Sequence, residues 1–163
     1  MKINIGVDYH DTLSYDPKFF QTFFSSWKDK GNIYIVTGTP ASKTEEIKDE
    51  LEVLGFGRDS YTDILPGFEY DKKNMTSAHF IRMREHKLSL IKKYDIKVFF
   101  DDNPFYVEYV RNHGVTVFQT ILDAEYIERF SKINPFFTCN LQERQFTFLE
   151  NLENFEKTQQ SRE

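Results

Sequence analysis

The amino-acid sequence predicts an α/β protein, a Rossmann-like parallel β-sheet sandwiched by helices. Two observations predict it. Five short β-like runs alternate with helical segments, the pattern of crossovers that cover a parallel sheet on both faces. Three of the runs end in polar residues, and the C-terminal edge of such a sheet is where ligands bind.

Taken in order, residues 2–7 are apolar and β-branched, and the run breaks at Asp8-Tyr9-His10-Asp11. A first helix follows, with Asp16 at the N-cap, Pro17 at N1 and Gly31 at C′. Its Phe19, Phe20, Phe23, Phe24 and Trp27 keep one face, which makes them core residues. Residues 32–36 form the next strand, ending at Thr37-Gly38-Thr39. Thr39 and Pro40 open a second helix that turns Ile47, Leu51 and Leu54 inward and stops at Gly55. Residues 56–83 show only weak periodicity, with a short strand near Ile64 and a turn at Pro66-Gly67. A helix over residues 86–93 leads to a strand at 96–100 that ends in Asp101-Asp102-Asn103-Pro104. Residues 105–112 are helical, 115–118 form the last strand, and two further helices are expected near 124–133 and 141–155. No repeat or low-complexity linker interrupts the chain. One domain is therefore expected over residues 1–157, with a frayed tail at 158–163.

Composition narrows the function. With 163 residues, 39% of them hydrophobic and 17% aromatic, the chain holds ample material for one packed core, which excludes global disorder. The longest uninterrupted apolar run is residues 33–36, too short to span a bilayer. The first residues lack the apolar segment of a signal peptide, and a single Cys139 fits a reducing compartment, so a cytoplasmic protein is expected. Cys139 lies outside the motifs, and a buried hydrophobic role suits it better than chemistry. A net charge of −5 argues against a protein that coats duplex nucleic acid. Residues 71–93 are the exception, with seven basic residues (Lys72, Lys73, Arg82, Arg84, Lys87, Lys92, Lys93) against Asp71 and Glu85. They form either a solvated helix face or the rim of a site for an anionic substrate.

The chemistry gathers at the strand ends, in Asp8 to Asp11, in Thr37, and in Asp101 with Asp102. A single acidic strand end is equally well a helix cap. Two acidic ends beside a hydroxyl one are harder to explain that way, because clustered carboxylates repel unless a cation lies between them. Oxygen donors without a Cys or His pair suit Mg²⁺ rather than zinc. His79, His86 and His113 have no partner at metal-ligand spacing and read as surface or packing residues.

In this order the motifs resemble those of the haloacid dehalogenase-like (HAD) phosphohydrolases. Val7-Asp8-Tyr9-His10-Asp11-Thr12-Leu13 resembles the first motif, and Ile35-Val36-Thr37-Gly38 the second. Lys87, fourteen residues before Asp101, matches the third, and Val98-Phe99-Phe100-Asp101-Asp102-Asn103 the double-Asp form of the fourth. Residues 107–114 are similar to the continuation found in small nucleotidases and polynucleotide phosphatases of that superfamily.

The resemblance spans about residues 3–120 and implies a set of roles. Asp8 would be the nucleophile, forming an aspartyl-phosphate, and also a ligand of Mg²⁺. Asp102 would be the second protein ligand, Asp101 would hold metal-bound water, and the backbone carbonyl of His10 would complete the set. Thr37, with Gly38, and Lys87 would bind the transferring oxygens; Lys73 or Lys92 could take the place of Lys87. Lys72, Lys73 and Arg84 would line the rim. His10 departs from the pattern, which has a second Asp there as general acid and base. Imidazole can shuttle a proton near neutrality. Otherwise the chain is a slow phosphatase, an enzyme for activated leaving groups that need no proton, or a phosphate- or partner-binding module.

Forty-nine residues separate Thr37 from Lys87, and neither that gap nor the earlier one has room for a large cap domain. An uncapped site implies a phosphorylated small molecule or a nucleic-acid end as partner. A receiver-like domain also sets acids and a lysine on a parallel sheet, but its phosphoacceptor lies on a middle strand of the sequence, whereas Asp8 ends the first.

Overall fold

The computed structural model describes residues 2–131, which fall in two units divided after Ile121. In the first unit, strands β1 (Asn4–Val7), β2 (Ile33–Pro40), β3 (Asp63–Gly67), β4 (Ile96–Asp101) and β5 (Thr116–Gln119) form one sheet in the order β3-β2-β1-β4-β5, every neighbouring pair parallel. The helices α1 (Pro17–Trp27), α2 (Thr44–Val53), α3 (Ser77–Lys93) and α4 (Pro104–Arg111) connect them. This is the expected Rossmann-like α/β architecture, and its strand order makes the first strand central. A receiver has the order 2-1-3-4-5 and a central third strand, so that reading is excluded.

Strand alternation divides the core into two layers. Ile33 and Ile35 join Ile5, Val7, Phe20, Phe24, Ile47, Leu51, Phe56 and Ile64 on the α1/α2 side. Their neighbours Tyr34 and Val36 join Leu65, Ile91, Phe99 and Val110 on the α3/α4 side. A strand buried on both faces must be apolar at every position, which is why the β2 sequence reads as an unbroken apolar run. Each such side chain contributes about 1.5–3 kcal/mol on burial.

Several boundaries differ from the sequence expectation. The helix α1 starts as expected, with Asp16 accepting from the Phe19 N–H at 3.1 Å, but it ends at Trp27, so Gly31 is not its C′ residue. Gly31 instead lets the chain pass β1, since a Cβ there would lie 1.8 Å from the Ile3 carbonyl oxygen. β2 continues to Pro40, which pairs with Gly67 at the strand's end, and α2 begins only at Thr44 after a 3₁₀ turn over Ala41–Lys43. Gly55 stops α2 as expected, with φ +88° in the left-handed region open to glycine. The largest difference is α3, which starts at Ser77 and covers 17 residues, so Lys87 lies well inside it rather than at its start. Because β3 and β4 are parallel, α3 runs back across the sheet. Its first turns lie at the C-terminal edge, and Lys92 and Lys93 lie at the opposite edge.

In the second unit, α5 (Ala124–Ser131) begins after Asp123, whose carboxylate accepts from the Tyr126 N–H at 2.8 Å. The helix expected near 141–155, Cys139, the limit of the domain at 157 and the tail at 158–163 lie outside the described residues. No helix among the described residues is long and apolar enough to cross a membrane.

Candidate functional site

Three central strands and one helix build the site. Asp8 follows β1, and its N–H donates to the Phe100 carbonyl of β4 at 2.8 Å, which fixes the residue against the neighbouring strand end. The chain then makes one wide turn, Tyr9–Leu13, in which Asp11 takes φ +59°, a conformation that Asp tolerates better than most residues. Asp101 closes β4 and Asp102 follows it, while Asn103 caps α4 by accepting from the Phe105 N–H at 3.0 Å.

Lys87 reaches this edge from α3. Its Nζ donates to Asp8 Oδ1 at 2.8 Å and to Asp101 Oδ2 at 2.6 Å, and all three side chains are buried. The Tyr106 ring covers the ammonium, with its centroid 4.7 Å away. Asp101 Oδ1 accepts the Asn103 N–H at 2.8 Å, so both of its oxygens are engaged. Asp102 Oδ1 has a longer bond from Thr12 Oγ1, 3.4 Å. Asp8, Asp101 and Asp102 each offer one carboxylate oxygen within 4.8 Å of the others, a buried cluster that could hold a metal ion.

Electrostatics agree with that arrangement. Burial pulls the Lys87 ammonium down, but Asp101 and Asp8 outweigh it and hold the group charged far above neutral pH. Burial raises the Asp8 carboxyl against the opposing pull of Lys87, and it raises Asp101 to about 6. Asp102 is pushed well above the ordinary carboxylate range, first by burial and then by the charges of Asp101 and Asp8. Three carboxylates around one ammonium leave excess negative charge in a buried place. A divalent cation among these hard oxygen donors would relieve it, so the residues present fit such an ion.

The remaining expected residues are placed unevenly. Thr37 is buried within β2, just after the apolar run Ile33–Val36, where its Oγ1 accepts the Thr39 N–H at 3.1 Å, and Gly38 follows it beside Met83. His10 is exposed on one side and packs edge-on against Tyr9. The protein crowded behind its ring holds its pKa below the ordinary imidazole value, with Asp11 and Glu50 opposing. Lys72 is close enough to lower the His10 pKa further, whereas Lys73 is exposed and no described contact ties it to the carboxylates. Arg84 stacks on Phe105 and Tyr109 of α4. His86 bonds the Pro66 carbonyl at 2.9 Å and His113 the Tyr109 carbonyl at 2.7 Å, both packing roles. Sequence reasoning did not single out Tyr106, Thr12 or Asp11 as site residues. Asp11 stands in the first motif, and its charge acts on both Asp8 and Asp102.

No family model matches the sequence, and no curated protein does. Solved structures do. An uncharacterized protein from Corynebacterium glutamicum is 16% identical over 81% of this chain and 94% of that one, with a TM-score of 0.48. The N-terminal part of the protein BF1531 from Bacteroides fragilis, containing a phosphatase domain complexed with Mg, is 20% identical over 82% of this chain, with a TM-score of 0.52. This chain spans 40% of that structure's length. A HAD-family enzyme from Bacteroides thetaiotaomicron, in complex with magnesium and inorganic phosphate, is 10% identical over 74% of this chain and 58% of that one, with a TM-score of 0.39. The fold assignment rests on the Bacteroides fragilis structure. The fold is the Rossmann-like α/β fold shared with that structure, with no large cap among the described residues.

Proposed function

We propose that this chain is a Mg²⁺-dependent phosphomonoester hydrolase that acts through an aspartyl-phosphate on Asp8. One observation carries the reading: the Asp8 carboxylate stands at the C-terminal edge of the central strand, held by Lys87 and within 4.8 Å of Asp101 and Asp102 oxygens. An Asp8 oxygen attacks phosphorus while the bond to the ester oxygen breaks, and that oxygen leaves as an alcohol after taking a proton. Water then attacks the same phosphorus, the bond to Asp8 breaks, and orthophosphate and the free carboxylate are regenerated.

Lys87 orients the nucleophile and keeps Asp101 ionised. Thr37 offers a hydroxyl to the phosphoryl oxygens beside the backbone of Gly38. Asp8 and Asp102 would hold the metal directly and Asp101 more remotely, since its oxygens already serve Lys87 and Asn103. Bound there, Mg²⁺ would offset the charge that otherwise repels a phosphate dianion. His10 gives the leaving oxygen its proton, and the rim with Lys72 and Arg84 suits a phosphorylated small molecule or nucleic-acid end.

A second reading is kept because His10 stands where the HAD pattern has an acid, with its imidazole biased toward the neutral form. On that reading the chain binds phosphate or a partner and turns over slowly. The test is hydrolysis of p-nitrophenyl phosphate and of a panel of alkyl phosphates with Mg²⁺ and with EDTA. Mg²⁺-dependent turnover supports the enzyme, and binding without turnover of either class supports the module.

A further inference from the structure

We propose that Arg84 holds a second anionic group of the substrate, so that the site prefers phosphomonoesters carrying another phosphate or phosphodiester over simple monoesters. The proposal rests on the reading of the carboxylate cluster as a phosphate site.

Position is the first argument. Arg84 precedes Lys87 by three residues on α3, a rise of about 4.5 Å along the helix. Since α3 runs back across the sheet, that step leads toward the C-terminal edge and the mouth of the site. One of the two rings it stacks on belongs to Phe105, three residues after Asp102 and in the first turn of α4.

The second argument is the charge itself. Asp8 and Asp101 take the ammonium of Lys87, and Arg58 and Arg129 pair with glutamates. Among the described residues, no carboxylate lies within ion-pair distance of Arg84, although the chain is acidic overall. Its Nε is buried and has no hydrogen-bond partner. No ion pair among the described residues neutralises this guanidinium, which lies one helical turn before Lys87, toward the C-terminal edge of the sheet.

Rigidity is the third. The guanidinium carbon lies 4.6 Å from the Phe105 ring and 4.5 Å from the Tyr109 ring. Two rings hold the planar group in one orientation, so little rotamer freedom remains to be lost when it binds an anion. Its outer N–H groups form a fork matched to two oxygens of a phosphate.

The test compares thymidine 5′-monophosphate, thymidine 3′,5′-bisphosphate and a 5′-phosphorylated dinucleotide as substrates with Mg²⁺. Arg84→Gln should raise KM for the two doubly anionic substrates about tenfold or more, and by at least about fivefold more than it raises KM for the monophosphate. Arg84→Lys, which keeps the charge without the planar fork, should fall between. In the unaltered protein the bisphosphate should bind more tightly than the monophosphate, a comparison that needs no variant. If the bisphosphate responds and the dinucleotide does not, the second group belongs to a small molecule; the reverse points to a nucleic-acid end. Equal KM changes for all three substrates, or none, would overturn the proposal. Calorimetric binding of the same ligands to Asp8→Asn separates this from the phosphatase reading. A protein that hydrolyses nothing refutes the enzyme, while the bisphosphate preference and its loss in Arg84→Gln still decide the role of Arg84.

Discussion

Replacing Lys87 by Met keeps most of the side-chain volume and removes the one positive charge between Asp8 and Asp101. Asp8 and Asp101 are 5% and 0% exposed, so the orphaned carboxylates cannot turn to water. Breaking a buried ion pair from one side costs about 3–5 kcal/mol. At this chain length that lowers the thermal midpoint by about 6–20 °C. The sign with pH follows from the carboxyls. Asp101 already stands at about 6, above its unfolded value, and loss of the ammonium would raise it and Asp8 further. Groups raised in the folded state bind protons better there, so they weaken the fold as pH rises from about 4 through the raised values. The deficit of Lys87→Met should therefore be large at pH 7 and shrink in acid. Urea unfolding followed by circular dichroism at pH 7 and pH 4.5, in EDTA, measures it. Mg²⁺ should recover part of the loss, and the double variant Lys87→Met/Asp101→Asn should lose less than the single one. A deficit under about 1 kcal/mol at pH 7 would refute the reasoning that Lys87 is the compensating charge.

Asp102→Ala should weaken Mg²⁺ binding measured by calorimetry more than Asp101→Ala does, because both Asp101 oxygens are already engaged; the reverse order would exchange their roles. If His10 is the general acid, His10→Ala should slow alkyl phosphate hydrolysis by about 10²-fold or more and aryl phosphate hydrolysis much less. The alkyl rate should then fall as pH rises through a value below the ordinary imidazole pKa, since only the protonated ring can donate. A gain from His10→Asp with no loss from His10→Ala would instead favour the binding module. Gly31→Ala, which sets a Cβ 1.8 Å from the Ile3 carbonyl oxygen, should lower stability by about 1–3 kcal/mol in urea unfolding without altering metal affinity.

The ends of β1 and β4 were legible in the sequence because an apolar run that stops at Asp8 or Asp101 marks its own terminus, whereas the run that stops at Thr37 marks only the end of the apolar part of β2. The first half of α3 was not. Met83, Lys87, Leu88 and Ile91 are buried along its inner side, so a lysine occupies a slot where the periodicity should show an apolar residue. The functional side chain thus hid the helix that carries it. Thr76 adds no side-chain cap to mark the start. Pro40 read as a helix start because proline suits N1, yet it also suits an irregularity in a ladder, and the register of β2 and β3 shifts between Val36 and Pro40. The cover of Tyr106 over Lys87 and the stack of Arg84 on Phe105 and Tyr109 join α3 to α4, and no local pattern announces such tertiary contacts.

Covalent participation of Asp8 can be read directly by rapid acid quench of the protein with a ³²P-labelled phosphomonoester and Mg²⁺, followed by peptide mapping. Hydroxylamine-labile label should appear on the peptide containing Asp8, form as fast as the steady-state turnover requires, and be absent from Asp8→Asn together with turnover. Turnover without label on that peptide, or undiminished turnover by Asp8→Asn, would contradict the aspartyl-phosphate mechanism.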